Sequence, residues 1–67
     1  MTKHEAYLAL LVGAKVTHPV FNTLIWVQKE GEYLVSSNGF LLGKLNKFLV
    51  FTWRGIDLPD GWKIYHD

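Results

Sequence analysis

Thr2-Lys3-His4-Glu5-Ala6-Tyr7-Leu8-Ala9-Leu10-Leu11-Val12-Gly13 is the stretch that decides the fold. Its first four residues read as a capping box. The Thr2 hydroxyl is spaced to accept from the Glu5 amide, and the Glu5 carboxylate to reach back to the Thr2 amide. Ala6, Ala9, Leu10 and Gly13 recur at three-to-four spacing, Tyr7, Leu10 and Leu11 share an overlapping side, and Leu8 and Val12 widen the apolar surface. Gly13 supplies the left-handed backbone that stops a helix. A stripe this wide predicts a helix buried on more than one side, against a sheet and against another subunit.

The chain then changes from helical to alternating spacing. Ala14–Thr17 reads as a short strand ended by Pro19. Thr23–Lys29 alternates Leu24, Trp26 and Gln28 against Thr23, Ile25 and Val27, with apolar residues on both faces, as in a central strand. Glu30-Gly31 predicts a turn into Glu32–Ser36, and Asn38-Gly39 a hairpin into Phe40–Leu42. Gly43–Asn46 reads as a turn, Lys47–Trp53 as a strand, Arg54–Gly61 as the longest loop and Trp62–His66 as a closing strand. The expected fold is α+β. One N-terminal helix packs on a meandering antiparallel sheet of four to six short strands, in a single domain spanning residues 1–67. An SH3-like barrel with a leading helix is the rival.

Composition narrows the function classes. The chain has 67 residues and no cysteine. That suits a reducing compartment, and no disulfide is available to staple a domain of this size. His4, His18 and His66 lack metal-ligand spacing, so no metal and no cofactor are expected. Seven basic and six acidic residues leave a net charge of +1, short of the basic face that a duplex nucleic-acid binder carries. No apolar run suffices to span a membrane. Ala6–Ala14 is only a weak mimic of a signal-peptide core, and a cytoplasmic protein is expected. The 49% apolar content is high for this length and predicts a homo-oligomer.

No catalytic residues are expected, and the protein is read as not an enzyme. Ser36 and Ser37 sit beside a turn without a nucleophile elbow, and Asp57 and Asp60 read as turn-forming loop residues. His18 before Pro19 reads as a hydrogen-bonding spacer. The aromatics say more. Trp26, Trp53, Trp62, Tyr7, Tyr33, Tyr65 and Phe21 are too many for a small core to hide completely, although most must pack in it. Phe21 and Trp53 each abut a polar segment, Asn22-Thr23 and Arg54-Gly55. That pairing is suited to stacking a base and holding its edge or a phosphate.

The order Glu5-Ala6, Ala9-Leu10, Gly13, Val16, His18 and Phe21-Asn22 resembles the start of the phage Thoeris anti-defence sponge family. Leu24–Val27 resembles that family's hydrophobic strand, and Trp53, Asp57-Leu58 and Asp60-Gly61-Trp62 its closing pattern. His18 stands where the family has arginine and Phe21 where it has tryptophan. The glycines that follow the asparagine there are missing. The resemblance implies a non-catalytic homo-oligomer that counters host immunity by sequestering a cyclic nucleotide or cyclic ADP-ribose-type signal in pockets between subunits, in the host cytoplasm. Phe21 would stack a base, with Asn22, Trp53 and Asp57 close by; Arg54 joins them on its chemistry, as a phosphate partner. An alternative is a protein–protein inhibitor or adaptor that grips a host enzyme through exposed aromatics. A single-stranded nucleic-acid binder is a third reading, disfavoured by the low charge.

Overall fold

The computed structural model describes residues 1–21 and 25–66. Helix α1 spans Lys3–Leu11 and carries both arms of the capping box. Thr2 Oγ1 accepts from the Glu5 amide at 3.1 Å, and Glu5 Oε1 accepts from the Thr2 amide at 2.8 Å. The Thr2 amide holds the Glu5 carboxyl below its ordinary range. At the other end Ala14 N–H reaches Ala9 C=O and Gly13 N–H reaches Leu10 C=O, with Gly13 at φ +91°. These two bonds form a Schellman motif, which only a residue at ease in the left-handed region closes without strain.

Among the described residues, seven short strands follow: β1 Val16–Thr17, β2 Val27–Glu30, β3 Tyr33–Ser36, β4 Leu41–Lys44, β5 Thr52–Trp53, β6 Ile56–Asp57 and β7 Lys63–Ile64. Five form one antiparallel sheet in the order β4-β3-β2-β1-β7, and β5 and β6 form a separate hairpin. The fold is α+β, as expected. Strand β2 is the middle strand of the sheet, as expected of the Thr23–Lys29 run, but it begins only at Val27: Ile25 and Trp26 precede it, and its own Gln28, Lys29 and Glu30 are polar. Val27 on β2 is buried in the core, whereas Trp26 just before it packs on Tyr65 at 6.0 Å and under the Lys15 ammonium at 4.4 Å. The Thr23-Leu24 part of that expected strand lies outside the described residues.

The core joins Ala6 and Leu10 of α1 to Val16, Phe21, Val27, Leu34, Leu45, Phe48, Leu58 and Trp62. Phe40–Leu42 is largely a true strand, since β4 begins at Leu41. Gly43 and Lys44 belong to β4 rather than to a turn. The expected strand over Lys47–Trp53 is overturned: a 3-10 helix runs over Leu45–Val50, and only Thr52–Trp53 is extended. The physical reason is the three-residue period. Leu45 and Phe48 are one 3-10 turn apart and both enter the core. Phe51 stacks on Phe48 at 6.0 Å one turn further on. An extended strand would have put Leu45 and Phe48 on opposite faces. The Arg54–Gly61 segment is also more ordered than a loop, because Arg54-Gly55 turns β5 into β6 with φ +51° and +81°. Two successive positive φ values are the geometry that joins tight hairpins.

On α1, Ala6 and Leu10 are fully buried while Leu8, Leu11 and Val12 are exposed, Val12 to 84%. Truncation should separate the two faces in urea denaturation. Leu10→Ala is expected to cost about 2–5 kcal/mol, because it leaves a core cavity. Leu8→Ala is expected to stay within about 0.5 kcal/mol.

Candidate functional site

The sequence points to Phe21, Asn22, Trp53, Arg54 and Asp57 as a ligand site. The structure joins three of them and commits a fourth elsewhere. Phe21 is only 4% exposed, with its ring centroid 4.6 Å from Trp53, 5.6 Å from Trp62 and 6.1 Å from His18. Arg54 lies over the Trp53 ring at 5.6 Å. Phe21, Trp53 and Arg54 therefore form one continuous cluster, in which Phe21 meets Trp53 at a tilt of 48° and the rings pack on each other instead of forming an open slot for a base. Asn22 lies outside the described residues.

Asp57 is turned to a structural task. Its Oδ1 accepts from Lys3 Nζ at 2.9 Å, and the same ammonium donates to Phe51 C=O at 2.7 Å. Lys3 is 7% exposed. Its stem lies in the core margin while its head ties α1 to the β5–β6 hairpin. The hydrogen bond from Lys3 pulls the Asp57 carboxyl below the ordinary aspartate range.

His18 is fixed from both nitrogens. Nδ1 accepts from the Val20 amide at 3.1 Å, which assigns the ring hydrogen to Nε2. Nε2 lies 2.7 Å from Asp60 C=O. Beyond the ring, Gly61 sits at φ +88°, and a Cβ there would come within 2.9 Å of Nε2. This matches the spacer role expected from the sequence and adds a second one. The Asp60-Gly61 backbone is held close to β1, and Trp62 is delivered edge-on to His18 at 5.2 Å.

Two open clefts bear on ligand binding among the described residues. The first holds about 330 Å³ and is lined by Thr17, His18, Pro19, Phe21 and Lys63. It adjoins the aromatic stack, with β7 contributing the Lys63 ammonium across from Thr17 in the strand register. The second holds about 350 Å³ at the far end of the sheet, lined by Tyr7, Leu11, Lys29, Gly31, Glu32, Lys44, Leu45 and Asn46. None of these three lysines stands out in the sequence as a site residue. Each is an isolated cation in its strand, and only strand pairing brings it to a cleft.

Among the described residues, no three His, Asp or Glu side chains gather where they would hold a metal ion. No helix among them is long and apolar enough to cross a membrane. No protein-family model, curated protein or solved structure matches the chain.

The Lys3–Asp57 tie has a pH signature. The folded pKa of Asp57 is lowered. Its contribution is therefore full above the unfolded aspartate value of about 3.9 and is lost as pH falls through the lower folded value. Stability of the wild type is expected to fall over that acid window. Asp57→Asn should be less stable at neutral pH and show a flatter acid limb when urea midpoints are measured from pH 6 to pH 2. Gly61→Ala combines a left-handed backbone with a clash on His18 and is expected to cost about 1–3 kcal/mol by the same measurement.

Proposed function

We propose that this chain is a non-catalytic binding protein that captures a small nucleotide-class signal, as the sponge family it resembles does, and so counters host immunity from the host cytoplasm. The observation that carries this reading is the cleft at the β1–β7 edge, where Phe21 shares a wall with a cation and a hydroxyl-bearing residue. Lys63 has no ion-pair partner among the described residues. Pro19 offers apolar surface to a base or ribose, with buried Phe21 backing the wall, and the Lys63 ammonium suits a phosphate. Arg54 and Trp53 stand behind Phe21, so the base-stacking role expected of Phe21 becomes that of a ring held rigidly in the wall. Asp57 drops out of the ligand set because its carboxylate is engaged by Lys3.

Size refines the ligand. The cleft holds about 330 Å³. Ligand pockets start at roughly 300 Å³, so this one is at the small end of their range. It suits one nucleotide unit. A cyclic dinucleotide would span clefts from two copies, in keeping with the homo-oligomer expected from composition.

The exposed Leu8, Leu11 and Val12 favour a second reading, in which a partner protein docks on the outer face of α1. They are spaced i, i+3 and i+4, so they share one side of the helix. The anchors on this face are aliphatic, while the exposed aromatics Tyr33 and Phe40 lie on other elements.

Calorimetry with a panel of cyclic ADP-ribose isomers and cyclic dinucleotides tests the first reading. Saturable heat is expected for at least one member, weakened about tenfold by Lys63→Ala, as loss of a charge-assisted contact predicts. Folded protein that gives no heat with any member overturns it. Recovery of a stoichiometric host protein from lysate, lost in Val12→Lys, would instead support the second reading.

A further inference from the structure

The two faces of the five-stranded sheet are unlike. Val16, Val27 and Leu34 point into the core, on the side where α1 and the 3-10 helix pack. Successive residues of a strand alternate between faces, so Tyr33 and Val35, on either side of buried Leu34, belong to the other face. The register adds Glu30 of β2 and Lys44 of β4, which both pair with Tyr33, and Leu41 of β4, which pairs with Val35. Tyr33 is 41% exposed and Leu41 63%. An apolar centre of Tyr33, Val35 and Leu41 therefore lies open on the sheet, with an acid on one side of Tyr33 and a base on the other.

Glu30 and Lys44 stand two strand spacings apart, about 10 Å, with Tyr33 between them. Neither has an ion-pair partner among the described residues. A second copy laid face to face supplies the missing partners, provided that the twofold axis runs along β3. Lys44 of one copy then lies over the partner's Glu30, symmetry forms the reverse pair, and Tyr33 and Val35 meet their own counterparts near the axis. With the axis across the strands, lysine would face lysine and glutamate would face glutamate, which is unfavourable. The charges thus select one of the two arrangements. Sheets packed in this way lie about 10 Å apart, a gap that facing side chains of this length close.

We propose that the open face of β4, β3 and β2 is a homodimer interface, in which Glu30 and Lys44 form two symmetry-related ion pairs around Tyr33, Val35 and Leu41. The occupant is a second copy because the acid–tyrosine–base row is its own complement when reversed. Each of these strands has four residues, so the three span about 14 Å across and about 13 Å along. That is less than the roughly 800 Å² per partner of a standard interface, and the dimer is a reversible one. Helix α1 lies on the other side of the sheet and takes no part. Strands β1 and β7 project beyond the overlap, which leaves their cleft free for a ligand or a further contact. The interface does not rest on the nucleotide reading.

The test is sedimentation equilibrium of the full chain over a range of concentrations at low salt, where exposed charges are least screened. A concentration-dependent monomer–dimer equilibrium is expected. Glu30→Lys and Lys44→Glu each convert both ion pairs into repulsions and should raise the dimer Kd about tenfold or more. An equimolar mixture of the two variants sets every lysine against a glutamate and should associate about as tightly as the wild type. The double variant Glu30→Lys/Lys44→Glu should do the same by itself. All these positions are exposed, and circular dichroism should show each variant folded. A wild type that stays monomeric at every soluble concentration overturns the proposal. So does a dimer unaffected by either single variant, or a mixture that associates no better than its components. A dimer dissociated by Val12→Lys but not by the charge reversals also overturns it, because the contact would then be through α1.

Discussion

The indole of Trp62 lies between the rings of His18, Phe21, Phe48 and Phe51, at centroid distances from 5.1 to 6.5 Å, and is 1% exposed. Its Nε1–H donates to Leu58 C=O at 2.8 Å, which satisfies the polar edge that would otherwise oppose burial. Its backbone exchanges hydrogen bonds with Met1 in both directions. The start of the chain, the β1 turn, the 3-10 helix and the last strand therefore all converge on one side chain. A domain this small buries a modest share of its surface, and large aromatic anchors supply a disproportionate part of its stability.

The demands of this anchor explain what became of the aromatic–polar pairs near Phe21 and Trp53. Phe21 closes one side of Trp62 and Trp53 closes Phe21, so both are consumed by packing. Lys3 makes the matching polar tie on the opposite flank. Its ammonium caps Phe51 C=O and engages Asp57, which holds the β5–β6 hairpin against the first turn of α1. The Asp57 side chain is 71% exposed. Water therefore screens the pair, and the positioning it gives the hairpin matters more than its energy.

The two clefts lie at opposite ends of the sheet, one at the β1–β7 edge and one where α1, the β2–β3 turn and the start of the 3-10 helix meet. Both clefts combine lysine with an aromatic ring, yet they differ in kind. The β1–β7 cleft is bounded by Phe21, held among His18, Trp53 and Trp62, and by a single lysine. The cleft beside the end of α1 is lined by a tyrosine, a carboxylate and two lysines that leave opposite faces of the sheet.

Local pattern alone determined the helix and its two ends, because a capping box and a stop glycine act within a few residues and need no tertiary partner. It also pointed to a central strand reaching Val27, although Ile25 and Trp26, which helped suggest it, lie before β2 rather than on it. The 3-10 helix over Leu45–Val50 was not legible in this way. The alternation of Phe48, Val50 and Thr52 against Leu49, Phe51 and Trp53 suits a strand, and the tight helix prevails because Trp62 and Tyr7, far away in sequence, offer Phe48 a place one turn from Leu45. The candidate sites divide along the same line. Phe21 and Trp53 stood out as aromatics beside polar residues, but only the fold decided that they pack on each other. Lys63 is inconspicuous in the chain and comes to the site only because strand pairing sets it across from Thr17 at the cleft. Chemistry that depends on residues brought together by register is a property of the folded sheet, since no spacing along the chain encodes which strands become neighbours.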